Sequence, residues 1–228
     1  MAQKVFFDMA MSLDGFSAPE GMDREHFDNP EYKQWLKKWM ELMAWVFPLK
    51  FFRKNVKFED SPMESFHKNA RRDNEGETGP LNQSVEDTFN RTGASIMGAD
   101  MFGCGEKSWP EDSPFHTKVF VLTNKVRKPW ERPGGTIFYF VNDGIESALK
   151  QAKEAAGKRD IRIAGGANVV QQYLNAGFVD EFTIHFSPVF FGSGRSLFLN
   201  VNPDVKTRVK KTIVSENSTH ITYEIIKN

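Results

Sequence analysis

The sequence predicts an α/β domain built on a mixed, mostly parallel sheet with an antiparallel edge at its carboxy terminus. Three observations carry this. From about residue 93 to 176, short apolar runs alternate with stretches of helical period, the pattern of βαβ crossovers. The first run, KVFFDMAMSL at 4–13, is apolar nearly throughout, as an internal strand covered on both faces should be. Near the end, VKTRVKKTIV and HITYEIIK flank the polar turn SENST, which reads as an edge hairpin with one wet face.

Taken in order, the opening strand ends in an Asp14-Gly15 turn. From Pro30 the period changes, with Tyr32, Trp35, Leu36, Trp39, Leu42, Met43, Val46 and Phe47 at helical spacing and Asp28 or Asn29 placed to cap. Residues 50–82 have weak periodicity and end in DNEGETGP, the signature of a loop or insertion. LNQSVEDTFNR is a short helix, and GASIMGADMF a strand followed by a helical turn. TKVFVLT and TIFYFV are strands, GIESALKQAKEAAG is an Ala-rich helix closed by Gly157, and DIRIAGGANVVQQYL is a strand and then a helix. VDEFTIHFSPVFFG reads as one long strand. The expected organisation is one domain over 1–228 with a helix-plus-loop insertion at about 23–90.

With 228 residues, 21 of them Phe, the chain can bury a sizeable core. Thirty basic residues balance thirty acidic ones, which removes the electrostatic footprint of a dedicated nucleic-acid binder. A single cysteine, Cys104, excludes an intrachain disulfide. With an amino terminus that lacks a signal pattern, this points to a reducing, cytoplasmic setting. No apolar run approaches the ~20 residues that span a bilayer, so no membrane association is expected.

The Gly165-Gly166 pair, between a strand and a helix, fits two readings equally: a turn that needs glycine for its backbone, or a bare main chain that a phosphate can approach at a helix amino terminus. It lacks the G-x-G-x-x-G spacing of a Rossmann turn. Gly98 to Gly103 has P-loop spacing, but Cys104 stands where the phosphate-binding Lys belongs. The five histidines, His26, His67, His116, His185 and His220, are scattered without metal-ligand spacing, so no metal is expected. Cys104 reads as a small packed residue, and Trp35, Trp39 and Phe47 as core or subunit interface.

MAMSLDGFSAPEG, GASIMGADMF, KVFVLT and IRIAGGANVVQQYLNAGFVDEFTIHFSPVFFGSGRSLF, in that order, resemble the dihydrofolate reductase-like superfamily, nearest to the reductase domain of bacterial riboflavin biosynthesis. The likeness covers roughly residues 3–20 and 93–226. It implies a three-layer α/β/α fold and an NADPH-dependent reductase that transfers hydride to a small heterocyclic or carbonyl substrate. The resemblance places Gly165, Gly166, Ala167, Asn168 and Val169 against the cofactor pyrophosphate. It places Met97, Gly98, Ala99 and Asp100 at a second cofactor turn, where Ala99 replaces the family's basic residue. Thr123 falls near the adenosine phosphate, with Lys125, Arg127 and Lys128 candidates for the 2′-phosphate. Ala10, Asp14, Gly15 and Phe16 would border the nicotinamide. Asp14 is the candidate proton donor, its pKa expected to be raised, with a plain Asp-Gly turn as the other reading. A pterin-holding carboxylate is not singled out among Glu25, Asp28, Glu31 and Glu41. A homodimer is expected. A non-catalytic NADP(H)-binding module, or a structural dimer with a lost pocket, are the other readings.

Overall fold

A computed structural model describes residues 2–56 and 76–227. The part of the expected loop at 57–75, and His67 within it, lie outside the described residues. In chain order the elements are β1 (Val5–Ser12), β2 (Phe16–Pro19), α1 (Tyr32–Leu42), α2 (Lys50–Asn55), α3 (Pro80–Arg91), β3 (Thr92–Gly98) and α4 (Ala99–Ser108). There follow β4 (Lys118–Leu122), β5 (Trp130–Glu131), β6 (Ile137–Val141), α5 (Ile145–Ala156), β7 (Asp160–Gly165) and α6 (Ala167–Asn175). The last are β8 (Glu181–Ser187), β9 (Gly194–Ser196), β10 (Thr207–Ser215) and β11 (Ser218–Ile225).

Among the described residues the main sheet runs β10-β11-β8-β1-β7-β3-β4-β6-β5. Pairing is parallel from β8 through β6 and antiparallel at both edges. Strand β1 is internal, and its alternate residues go to opposite faces. Val5 and Phe7 join Ile161, Ile163, Ala94, Ile96 and Ile184 on one face, beneath α5 and α6, through Ala148, Ala152, Val170 and Tyr173. Each large side chain so buried contributes about 1.5–3 kcal/mol relative to exposure.

The opposite face is covered in two parts. Phe102 of α4 packs with Met97, Val119, Val121, Phe138 and Ala164. Further along, the segment from α1 to α3 forms its own apolar cluster around Met40, Trp45, Phe47, Leu49, Leu81 and Val85. Thus the helices make outer layers on both sides of the sheet.

Four expectations are corrected. Helix α1 stops at Leu42, and Val46 and Phe47 reach the core from the turns that follow it. Neither Asp28 nor Asn29 is its cap; Glu31 is, while the Asn29 side chain accepts the Glu31 amide at 2.8 Å. Strand β8 ends at Ser187, just before Pro188, which has no amide to continue a ladder. On β10, residues 207–212 are exposed on both faces instead of one, as befits the last strand at the sheet's edge. The small β2–β9 ribbon carried no periodic signal at its length.

Glu181 lies under α3 at the start of β8, its side chain only 4% exposed. It accepts from Arg91 at 2.6 Å, Lys210 at 2.7 Å and Lys4 at 2.9 Å. Burial alone would raise its pKa, but the hydrogen bonds from Lys210, Lys4 and Arg91 outweigh that and bring it from 4.5 down to about 2. A carboxyl depressed on folding stabilises fully above its unfolded value, and the contribution is lost as pH falls from about 4.5 towards about 2. Urea unfolding across that window should show Glu181→Gln with a shallower acid limb than wild type. Superimposable limbs would show that Glu181 carries none of it.

Candidate functional site

Strands β3 and β7 are parallel neighbours, with Met97 opposite Gly165, and each passes directly into a helix. Two strand-to-helix turns therefore stand side by side at the carboxyl ends of the strands, where open α/β sheets bind ligands. They touch: a Cβ at Gly98 would come within 3.0 Å of Val169 Cγ2. Gly165 has φ +126°, and a Cβ there would sit 3.2 Å from the sulfurs of both Met9 and Met101. The Gly165–Gly166 peptide is cis. At Gly166 the direction a Cβ would take meets no atom within 4 Å. It opens onto a groove of about 1130 Å³. Gly166 O takes the amides of Val169 and Val170, and the earlier amides of Ala167 and Asn168 precede the helical hydrogen-bond ladder.

Of the residues expected at the site, Ala10, Gly98, Ala99 and Asp100 line this groove, as do Thr123, Gly166, Ala167, Asn168 and Val169. Others fall elsewhere. Met97 is fully buried in the core beneath α4. Gly165 is buried between the two methionine sulfurs. Phe16 packs with Ala10, Leu42 and Phe191, and Gly15 gives its carbonyl to Leu197. Lys125 lies in the exposed loop after β4. Arg127 is held by Glu106 through two hydrogen bonds, at 2.5 and 3.0 Å, and its guanidinium lies over the Phe140 ring. Among the groove-lining residues Arg127 does not appear, and its charge is met by Glu106.

Asp14 is corrected most. It is exposed, outside the groove lining, and accepts from Ser12 Oγ at 2.5 Å and from the amides of Phe191 and Gly192 at 3.0 and 2.7 Å. The Ser12 hydrogen bond, followed by those two amides, lowers its pKa, the opposite of the expected rise. Its carboxylate ties the first turn to the loop after β8.

The polar floor of the groove comes instead from Asp8 and Arg162. Asp8 sits on the face of β1 opposite Phe7, and Arg162 on the same face of β7, diagonally across one strand spacing. Arg162 Nε and Nη2 donate to the two Asp8 oxygens at 2.6 and 3.0 Å. Burial pushes the Asp8 pKa up, but the Arg162 charge and the neighbouring His185 more than reverse this and hold it low. Trp39, Met43, Phe52, Val56 and Phe89 wall this end of the groove. Among Glu25, Asp28, Glu31 and Glu41, Asp28 lines the groove, and its carboxylate meets Lys107 at 3.2 Å. The signal for Asp8 was a lone carboxylate in an apolar strand, matched by a lone guanidinium in DIRIAGG.

Two further cations missed in the sequence border the groove. Arg24 reaches Asp100 at 3.2 Å, and Arg195 reaches Asp23 at 3.0 Å. Cys104 also lines it, and burial pushes its thiol pKa up, which disfavours the thiolate form.

No helix among the described residues is long and apolar enough to cross a membrane. Comparison with known proteins gives a consistent picture. A stretch of 76 residues is 38% identical to the uncharacterized protein YyaP of Bacillus subtilis (strain 168), covering 33% of this chain and 38% of that protein. The chain thus matches well under two thirds of that relative's length. Over its full length it is similar to a structure from Shewanella sp. PV-4 described as a riboflavin biosynthesis protein, which is covered completely, with TM-score 0.59 and 22% identity. Dihydrofolate reductase from Enterococcus faecalis, complexed with NADP(H) and RAB-propyl, superposes with TM-score 0.52 at 14% identity, covering 98% of this chain and 97% of that one. The three-layer α/β/α arrangement is therefore that of the dihydrofolate reductase-like fold. The sequence model of the RibD C-terminal domain matches residues 3–221, nearly the whole chain, and the protein belongs to that family of reductase-type domains.

Proposed function

We propose that the protein is an NADPH-dependent reductase that transfers hydride to a small heterocyclic or carbonyl substrate of pterin-like or pyrimidine-like class. One observation carries the reading: a single groove has an open glycine turn at Gly166 at one end and the Asp8–Arg162 pair, walled by aromatics, at the other. Its volume of about 1130 Å³ exceeds the roughly 300–1,000 Å³ of a one-ligand pocket, which suits a cofactor and a substrate together. The NADP(H) complex of the Enterococcus reductase supports the choice of cofactor.

NADPH supplies the hydride; the chain binds, aligns and keeps water out. Gly166 lets the pyrophosphate approach the backbone, and the Ala167 and Asn168 amides, at the positive end of α6, donate to it. Thr123 offers a hydroxyl to the adenosine half, and Lys125 and Lys128 are the remaining cations for the 2′-phosphate. Ala10 floors the nicotinamide without polar competition. Asp8 and Arg162 present an acceptor beside a donor, the complement of a ring edge with N–H next to C=O. The protein acts in the cytoplasm as a homodimer, a reading supported by the exposed Val209 and Val214 on its edge strand.

Thermal unfolding with NADPH, NADH, FMN and folate tests the cofactor assignment. At one hundred times Kd, NADPH should stabilise by about 2.7 kcal/mol, which moves Tm by roughly 5–11 °C in a chain of this size. Nicotinamide absorbance with pterins, pyrimidines and dicarbonyls then tests turnover. No shift with NADPH would sink the proposal, and a shift without turnover on any of them would favour the non-catalytic module.

A further inference from the structure

The face of the sheet that carries Asp8 continues into a line of polar groups that substrate binding does not explain. Across β8, Ala10 pairs with His185, so His185 lies diagonal to Asp8 on the same face; across β11, His185 pairs directly with His220. The distances form a series. His185 Nε2 is 3.9 Å from Asp8 Oδ2, and His185 Nδ1 is 2.7 Å from His220 Nδ1. His220 Nε2 is 2.7 Å from Ser218 Oγ, which is 2.7 Å from Ser215 Oγ at the β10–β11 turn. The series begins on the groove floor and ends at the half-buried Ser215, in the β10–β11 turn at the edge of the sheet. Both imidazoles are buried, at 7% and 2% exposure, and His185 Nε2 has no hydrogen-bond partner although it is aimed at Asp8. Trp45 stacks on His185 at 4.0 Å and meets His220 edge-on at 4.9 Å, which seals the interval from solvent.

We infer that Ser215, Ser218, His220, His185 and Asp8 form a proton-supply line from the surface to the substrate end of the groove. The role rests on the reductase reading. Two nitrogens 2.7 Å apart need one proton between them. With His220 protonated on Nδ1 and His185 on Nε2, every donor points the same way: Ser215 to Ser218, Ser218 to His220, His220 to His185, and His185 to Asp8. A ring rotation of about 1 Å closes the last gap to hydrogen-bond length. When hydride from a reduced nicotinamide forms the new C–H bond, the π pair of the C=N or C=O group moves to the heteroatom. Asp8, ionised at rest, receives a proton from His185 and passes it to the heteroatom, and each donor is refilled by the one before it, so each turnover consumes one solvent proton at Ser215. Among the described residues, the ionisable neighbours of the line are Arg162 from β7 at the Asp8 end and the two histidines themselves; the segment after α1 contributes the neutral Trp45. Burial, then the proximity of His185, depresses the His220 pKa to about 3, so it stays neutral and can both accept and donate.

Nitrogen NMR of the histidine rings in the unliganded protein reads the line without turnover. The expected pattern is His185 protonated on Nε2 and His220 on Nδ1, with the His185 ring shifts moving in Asp8→Asn; the reverse tautomers overturn the proposal. In turnover, His220→Leu should lower kcat at pH 8 about tenfold or more. NADPH affinity should be unchanged and the solvent deuterium effect larger. Ser218→Ala, a smaller change for which folding is less at risk, should lower kcat in the same direction. Folded variants with wild-type kcat and pH profile overturn the line while leaving the reductase standing. Failure of the parent reading is seen separately, as wild-type protein that neither binds nor oxidises NADPH, and it removes the line's role as well.

Discussion

Gly166→Val is expected to fold and to bind NADPH at least about 100-fold more weakly, a loss of about 2.7 kcal/mol. The two halves of this expectation have separate causes. Gly166 has φ −80°, which any residue adopts, and a Cβ there meets no atom beyond its chain neighbours within 4 Å, so the native backbone admits a Cβ at this position. The same open space is where a diphosphate must approach the amides of Ala167 and Asn168, and two methyl groups would occupy it. Titration calorimetry with NADPH, alongside the melting curve of the free variant, separates the effects. Wild-type affinity in the folded variant would remove the pyrophosphate from this turn. The neighbouring Gly165 provides the contrast. Its φ of +126°, and the two sulfurs that would lie 3.2 Å from any Cβ, put a substitution there under backbone strain, so its loss of binding would be inseparable from loss of stability.

The largest stability effect is expected at Arg162. Arg162→Leu leaves the Asp8 carboxylate, 15% exposed on the groove floor, without its partner; removing one member of a fully buried pair costs about 3–5 kcal/mol, and a loss towards the lower end of that range is expected here. Because the Asp8 pKa is held low chiefly against its own burial, losing the guanidinium lets it rise. The variant's deficit should therefore shrink as the pH is lowered and Asp8 takes up a proton. Replacing both residues, Asp8→Leu with Arg162→Leu, should recover most of the stability while abolishing substrate recognition. Urea unfolding at neutral and mildly acid pH gives the comparison. A single variant as stable as wild type at pH 7 would mean that Asp8 is solvated or paired elsewhere.

The parts of the fold legible in the sequence are those with long, clean periods. The βαβ succession, the internal β1 and the terminal hairpin follow from apolar spacing, because burial on one or two faces leaves a direct trace in residue order. The Gly165-Gly166 turn is legible as a backbone feature, and the family resemblance supplies a ligand for it. What stays hidden is contact between distant strands. Asp8 and Arg162 are separated by most of the chain, and His185 and His220 read as scattered, because pairing order across a sheet is not written in local pattern. Asp14 misleads for a related reason. Its position after an apolar strand suggests burial, whereas its partners are amides of a loop far along the chain that no local signal predicts. Arg127 follows the same course, its basic context visible and its claim on Glu106 not.

The charged and imidazole side chains of β7, β1, β8 and β11 all lie on one side of the sheet, while the residues between them are aliphatic or aromatic and face α5 and α6. A slip of one position in any of these strands would drive an arginine, a carboxylate or an imidazole into that oily layer and expose the isoleucines and phenylalanines in its place. The same ionic row that equips the groove therefore penalises misaligned assembly, and the chain gains an internal check on which neighbours each strand accepts.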